Sequence, residues 1–267
     1  FKVESTGYRL GERFLKIIFD NALLYNVDEI YVTLFDNRPE LNALEELLSN
    51  WGFYLHGFKK SSNGVEKVLT KSMNQYNKLM SSKFNFPLID RNSQKFIMPI
   101  LSKYHTDLFP DAILSNEKSE NFIEYLPHRY ALQKVYISFA FEVPRVNTGD
   151  IMLFYRTGVE GIKQYTSVIT SIGVIQEVIT TFTSREDFLS HCENRSVFSI
   201  NDLNSFWESG KTLSVVKFLY VKAMTRKVTL KELNSIGLYT PFSGPRPYSH
   251  ITSEDFENIL TLGNTSI

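Results

Sequence analysis

A single cysteine, Cys192, leaves this chain with no internal disulfide, which excludes a disulfide-stapled secreted fold and fits a reducing, cytoplasmic compartment. No apolar run reaches the length of a membrane-spanning helix. Neither sign of charge prevails, since 29 basic residues offset 29 acidic ones, so the chain as a whole gives no electrostatic argument for a nucleic-acid or membrane surface. There is no glycine-rich Walker loop. The five histidines, His56, His105, His128, His191 and His250, stand at no zinc-like spacing from the cysteine, so no metal site is expected. His191 and Cys192 are adjacent, a placement in which side chains diverge rather than pair as base and nucleophile. Tyr104-His105-Thr106-Asp107 sets one histidine near one carboxylate, a pattern that suits a hydrogen-bonded structural cluster better than a catalytic pair.

What is present is a chain of 267 residues, 43% hydrophobic and 22% charged, long enough for two domains or one large one. Its opening segment is the most specific. Phe1-Lys2-Val3-Glu4 reads as a strand end, Ser5 to Glu12 as a turn with Gly7 and Gly11, and the apolar positions Phe14, Ile17, Ile18, Ala22 and Leu24 as one face of a helix. Unpaired amides where a strand turns into a helix, reinforced by the helix dipole, form a site suited to a diphosphate, and glycine lets the ligand approach the backbone. Glu29 to Leu34 is a strand, Asn37 and Pro39 open a second helix with Leu41, Leu44, Leu47 and Leu48 as its buried stripe, Gly52 ends it, and Phe53 to Phe58 is a further strand. Because Phe1 already falls inside a strand pattern, the chain is expected to begin partway through a longer protein.

This succession over residues 1–60 resembles the C-terminal half of the GNAT N-acetyltransferases. In the closest placement of the family's acetyl-CoA motif, Thr6 takes the Gln/Arg position, Arg9 stands where the family has its first glycine, and Gly11 is the last. The resemblance implies that Thr6, Gly7, Arg9, Leu10, Gly11 and Glu12 hold acetyl-CoA, and that the parent protein transfers acetyl from it to an amine. Gly52-Phe53 fits the family's later signature, but Leu48 stands where many members carry a tyrosine acid, so no catalytic residue is assigned.

Residues 61–128 read as a connector, with a helix-like stretch from Val65 to Met80 and Pro-punctuated loops. Strands follow: Lys134 to Phe139, Ile151 to Arg156 after the turn Thr148-Gly149-Asp150, Thr166 to Val178 with a bulge or bend at Gly173, and Leu213 to Met224. Short helices are expected after Ser184, with Asp187 at capping-box spacing, over Asn201 to Trp207, and at Leu230 to Leu233. The segments Gly149 to Arg156 and Ser171 to Ile175 resemble the PUA-like barrels, the group containing the ASCH and EVE domains, and that likeness implies RNA or a modified base as partner.

Between Arg129 and Arg246 there are 14 basic residues against 10 acidic, a modest excess. Tyr155, Arg156 and Thr157 end one strand, with Tyr165 across a glycine-containing loop, an arrangement that can stack an unpaired base and hold its phosphate. The same positions also suit a core Tyr155 and a solvated Arg156. The expected architecture is therefore α+β: a GNAT-like half-domain over 1–60, a connector over 61–128, a PUA-like β-barrel with short inserted helices over 129–240, and a loop and capped helix over 241–267. The two functional expectations are an acetyltransferase fragment carrying an RNA-binding domain, and a non-catalytic RNA or modified-base binding module with a degenerate GNAT-like remnant.

Overall fold

The computed structural model describes residues 10–114, 126–139, 146–240 and 243–267. They form two compact units, Leu10–Ile89 and a larger one running from Asp90 to the C-terminus. Among the described residues, no helix is long and apolar enough to cross a membrane.

The smaller unit holds helix α1 (Leu10–Leu24), strand β1 (Glu29–Phe35), helix α2 (Asn42–Asn50), strands β2 (Tyr54–Ser61) and β3 (Gly64–Ser72), and the short helix α3 (Ser82–Asn85). The strands form an antiparallel sheet in the order β1-β3-β2. β3 lies where the sequence suggested a helix from Val65 to Met80. Pairing with strands on both sides supplies every rung of its ladder, and that tertiary gain outweighs local helical periodicity. On α1 the buried apolar residues are Leu15, Phe19 and Ala22, whereas Phe14, Ile17 and Leu24 of the expected stripe are exposed. Two apolar stripes share this helix, and the one that meets an aromatic core is buried: Phe19 lies 5.3 Å from the Phe86 ring and Phe86 lies 5.2 Å from Trp51. Pro39 opens a short 3-10 turn before α2, with no side-chain cap from Asn37 or Arg38. Gly52 follows α2 at φ +86°, and an added Cβ would stand 2.3 Å from the Phe84 carbonyl oxygen, so both backbone and packing demand glycine.

The larger unit contains β4 (Lys95–Ile100), α4 (Ser102–Leu108), α5 (Pro127–Tyr130), β5 (Gln133–Ser138), β6 (Ile151–Arg156), α6 (Lys163–Thr166), β7 (Val168–Ile179), α7 (Arg185–Cys192), α8 (Ile200–Glu208), β8 (Ser214–Thr229), α9 (Leu230–Ser235), β9 (Ser249–Ile251) and α10 (Ser253–Leu262). Its six strands form one mixed sheet in the order β5-β8-β7-β6-β4-β9, with β4 and β6 parallel and the other neighbours antiparallel.

The protein is thus α+β, but the expected barrel is an open sheet: among the described residues no ladder joins β5 to β9. These two end strands are short, with six and three residues, while the central β7 and β8 have 12 and 16 and bend at three register shifts. One shift falls at Gly173, where a Cβ would meet the Phe154 and Phe218 rings at 2.9 and 3.0 Å. The connector expected over 61–128 divides between the units, giving β3 to the smaller sheet and β4 to the larger, and β9 of the expected C-terminal tail pairs with β4.

Capping follows the sequence. Ser184 accepts from the Asp187 amide at the start of α7, and Thr252 with Asp255 forms a full capping box on α10. The Gly149-Asp150 turn is structural: Gly149 has φ +94°, and the buried Asp150 carboxylate accepts from the amides of Asn147 at 2.7 Å and Gln94 at 3.2 Å, locking the entry to β6 against that of β4.

Candidate nucleic-acid interface

Strand β6 alternates until Phe154, whose side chain joins the core beside Met152, Phe109 and Phe218. Between Phe154 and Tyr155 its register against β7 shifts. Such an irregularity redirects the side chains beyond it. Tyr155 and Thr157 consequently line a cavity of about 880 Å³ at the C-terminal end of the strand, together with Tyr165, Ser167 and, from distant segments, Leu230 and Gly244. This volume lies in the upper part of the range of small-molecule and nucleotide sites.

The wall formed by residues 158–167 is tied to itself. The Gly158 amide donates to Ser167 Oγ at 2.8 Å, the Val159 amide donates to Thr166 Oγ1 at 2.9 Å, and Thr166 Oγ1 donates to the Ile162 carbonyl at 3.0 Å. Gly158 has no alternative here, since a Cβ would fall 2.3 Å from Thr166 Oγ1 and 2.5 Å from the Ser167 nitrogen. At Gly161, by contrast, nothing lies within 4 Å of the Cβ position, and at Gly244 only the Tyr155 hydroxyl comes within 3.5 Å. The first glycine closes the loop and the other two leave space.

The Tyr155 side chain is buried, with Ser167 beside its hydroxyl. Burial holds its pKa above the usual phenol value, against smaller lowering effects from Ser167 and Lys163, so it stays a neutral group able to donate or accept. Tyr165, 62% exposed, presents a ring at the rim, with Lys231 Nζ 5.2 Å from its centroid. Lys163 is exposed and ion-paired with Glu160 at 2.6 Å. Such a site offers a flat surface to a planar group, neutral hydrogen-bonding partners beneath it, and only modest positive charge around it.

Of the residues expected from sequence, Tyr155, Thr157 and Tyr165 meet in this cavity. Arg156, half-buried, does not line it. Tyr165 lies on α6 rather than at the start of the next strand, which begins at Val168. The Tyr155 side chain is buried and also lines the cavity. Ser167 and Gly244 were missed. The only local signal for Gly244 was Ser243-Gly244-Pro245, which reads as an ordinary loop.

For the expected acetyl-CoA site, Thr6, Gly7 and Arg9 lie outside the described residues. Leu10, Gly11 and Glu12 form the start of α1. A Cβ on Gly11 would stand 2.7 Å from Leu47 Cδ2, so the absence of a side chain there is accounted for by contact with α2, and Glu12 sets a buried carboxyl in the first helical turn. A carboxylate at that end of a helix competes with an incoming phosphate for the same positive potential. Leu48, in place of a tyrosine acid, is fully buried in the core of the smaller unit.

The other polar clusters are structural. His105 is buried with Nε2 2.7 Å from Thr170 Oγ1, and Asp107 pairs with Arg129 at 2.6 Å. Burial pushes the Cys192 thiol up to about 12, far from a reactive thiolate. Among the described residues, no group of three or more His, Cys, Asp or Glu is placed to hold a metal ion.

No family model matches the sequence, and no curated protein sequence does. Solved structures do match. An ASCH protein from Zymomonas mobilis is similar over 65% of this chain and 96% of its own, at 11% identity and TM-score 0.43. Human THYN1, solved in complex with DNA containing 5-methylcytosine, is similar over 66% of this chain and 100% of its own, at 16% identity and TM-score 0.36. Rpa0253 from Rhodopseudomonas palustris covers 64% and 93%, at 11% identity and TM-score 0.32. The ASCH-type resemblance read from the sequence thus recurs among solved structures, but at TM-scores below 0.5 it establishes no family and carries nothing to the site.

Proposed function

We propose that the larger unit is a non-catalytic binding module for single-stranded RNA or a modified base, which takes one unpaired base into the cavity at the end of β6. The observation that carries this reading is the convergence of Tyr155 of β6, Thr157 just beyond it and Tyr165 of α6 on one cavity of about 880 Å³ with an exposed aromatic ring at its rim. The base stacks on Tyr165, the Tyr155 hydroxyl and Ser167 meet its polar edge, and Lys163 and Lys231 lie near enough to the rim to attract a phosphate. Stacking rather than charge supplies most of the affinity, because the local basic excess is small.

Fluorescence anisotropy with labelled single-stranded oligonucleotides, carrying either an ordinary or a modified base, tests the proposal. The expected result is saturable binding with a shallow salt dependence, equivalent to about one or two released counterions. A steep salt slope with no effect of Tyr165→Ala would mark non-specific charge contact and reject the stacking site.

A second reading concerns the smaller unit. The succession α1, β1, α2, β2, with Gly52-Phe53 after α2, is the order of elements that suggested a GNAT-type half-domain, and it supports an origin in an acetyl-CoA-dependent acetyltransferase. Calorimetric titration with acetyl-CoA is the test: saturable binding favours acetyl-CoA as a ligand of this unit, and its absence rejects that reading.

A further inference from the structure

The larger unit carries a second cavity, of about 330 Å³ and different character, bounded by the end of β4, by α4, by β5, and by α8 with the loop before it. No charged side chain lines it. Four aromatic rings run along it in an edge-to-face chain: Tyr104 to Phe198 at 4.8 Å and 63°, Phe198 to Phe206 at 4.8 Å and 79°, and Phe206 to Phe139 at 5.0 Å and 88°. The Tyr136 hydroxyl, also in the lining, already donates to the Pro99 carbonyl at 3.2 Å. Two apolar side chains at this cavity stay in solvent, Phe139 at 41% and Leu101 at 55% exposure. A space with apolar walls and satisfied polar groups rewards an occupant that is itself flat and apolar, and covering Phe139 and Leu101 adds to the gain.

Charge at the margin narrows the choice. Lys103 Nζ lies 4.5 Å from the Tyr104 ring centroid and Lys211 Nζ lies 6.0 Å from the Phe139 ring centroid, so an ammonium group flanks the aromatic chain at either end. Asp202, the acidic group on the adjoining helix α8 that feels Lys103, has its carboxylate held by the amide and hydroxyl of Ser199 in the capping box. A cationic guest meets repulsion from both lysines. A guest with an anionic substituent is drawn to them while its ring enters the cavity.

From this complementarity we infer that the cavity between β4, β5 and α8 is a second binding site, for planar aromatic molecules that bear one acidic group. It shares Leu101 with the polar cavity at the end of β6, but its aromatic lining is its own.

Titration of the whole chain with 2-naphthalenesulfonate, followed by calorimetry or tyrosine and tryptophan fluorescence, tests this. Expected are saturable one-site binding, weaker binding of the uncharged 2-naphthalenesulfonamide by fivefold or more, and loss of that preference when both lysines are replaced, Lys103→Gln with Lys211→Gln. Phe139→Ser, at the rim, weakens the sulfonate at least tenfold with unchanged circular dichroism, whereas Tyr165→Ala leaves it unaltered. Absence of saturable binding, equal affinity for charged and neutral probes, or loss of binding in Tyr165→Ala alone overturns the inference. So does a concentration-dependent dimer that releases the probe, because the cavity would then be covered by a second copy of the chain.

Discussion

The start of α1 and the end of β6 both combine glycine, small polar residues and a helix, yet they use their glycines in opposite ways. At Gly11 the missing side chain makes room for Leu47, and at Gly52 for the Phe84 carbonyl and the Lys71 ammonium group, so the smaller unit fills its own gaps. At Gly161 nothing lies within 4 Å, at Gly244 only the Tyr155 hydroxyl stands at contact distance, and the gap belongs to a cavity. A glycine pattern therefore announces a close approach without saying whether the approaching atom is the protein's own or a ligand's.

The sharpest way to break the contrast is at Gly52. Gly52→Ala combines a left-handed backbone with a contact to a main-chain oxygen that cannot swing away, and is expected to cost roughly 3 kcal/mol or more, read as a lower urea midpoint.

The two units also part company with pH. His128, 7% exposed, has its pKa lowered to about 4, first by burial and then by Lys134 and Arg129. Its folded pKa lies below the unfolded value, so its contribution is complete above about 6.5 and disappears as pH falls through 4. On the order of 3 kcal/mol is at stake between pH 7 and pH 4, and His128→Gln flattens this part of the urea-midpoint profile of the larger unit. Lys71, in the smaller unit, is lowered to about 8 by burial, so there stability rises as pH increases from 8 towards 10.5. Lys71→Met removes that alkaline rise. A common pH response of both units would contradict the contrast.

At the site itself, Tyr165→Ala is expected to weaken single-stranded oligonucleotide binding about tenfold with the urea midpoint unchanged, since the ring is exposed and stacking contributes roughly 1–3 kcal/mol per base. The smallest effect on stability belongs to Gly244→Ala, within about 0.5 kcal/mol, because its Cβ meets only the Tyr155 hydroxyl at an ordinary distance. The same change narrows the cavity and lowers affinity measurably.

The strands of the larger sheet were legible because β5, β6, β7 and β8 carry β-branched and aromatic runs bounded by turns, and α7 and α10 because Ser184 and Thr252 cap locally. β3 was not, because its strand character comes from two partners rather than from its own periodicity. Sheet closure was equally hidden: whether β5 meets β9 is decided by long-range register and length, not by residues near either strand. Half of the site was legible, since Tyr155 and Tyr165 flank a single loop. The rest was not, because Leu230 and Gly244 reach the cavity only through the path of the folded chain.

Mapping a short single-stranded oligonucleotide onto the protein by amide chemical-shift changes tests the central claim most directly. The account predicts shifts concentrated at Gly158, Gly161, Tyr165, Ser167 and Gly244, with Tyr165→Ala needing about tenfold more ligand to produce them. Shifts confined to residues outside this group, or none at saturating oligonucleotide, would contradict it.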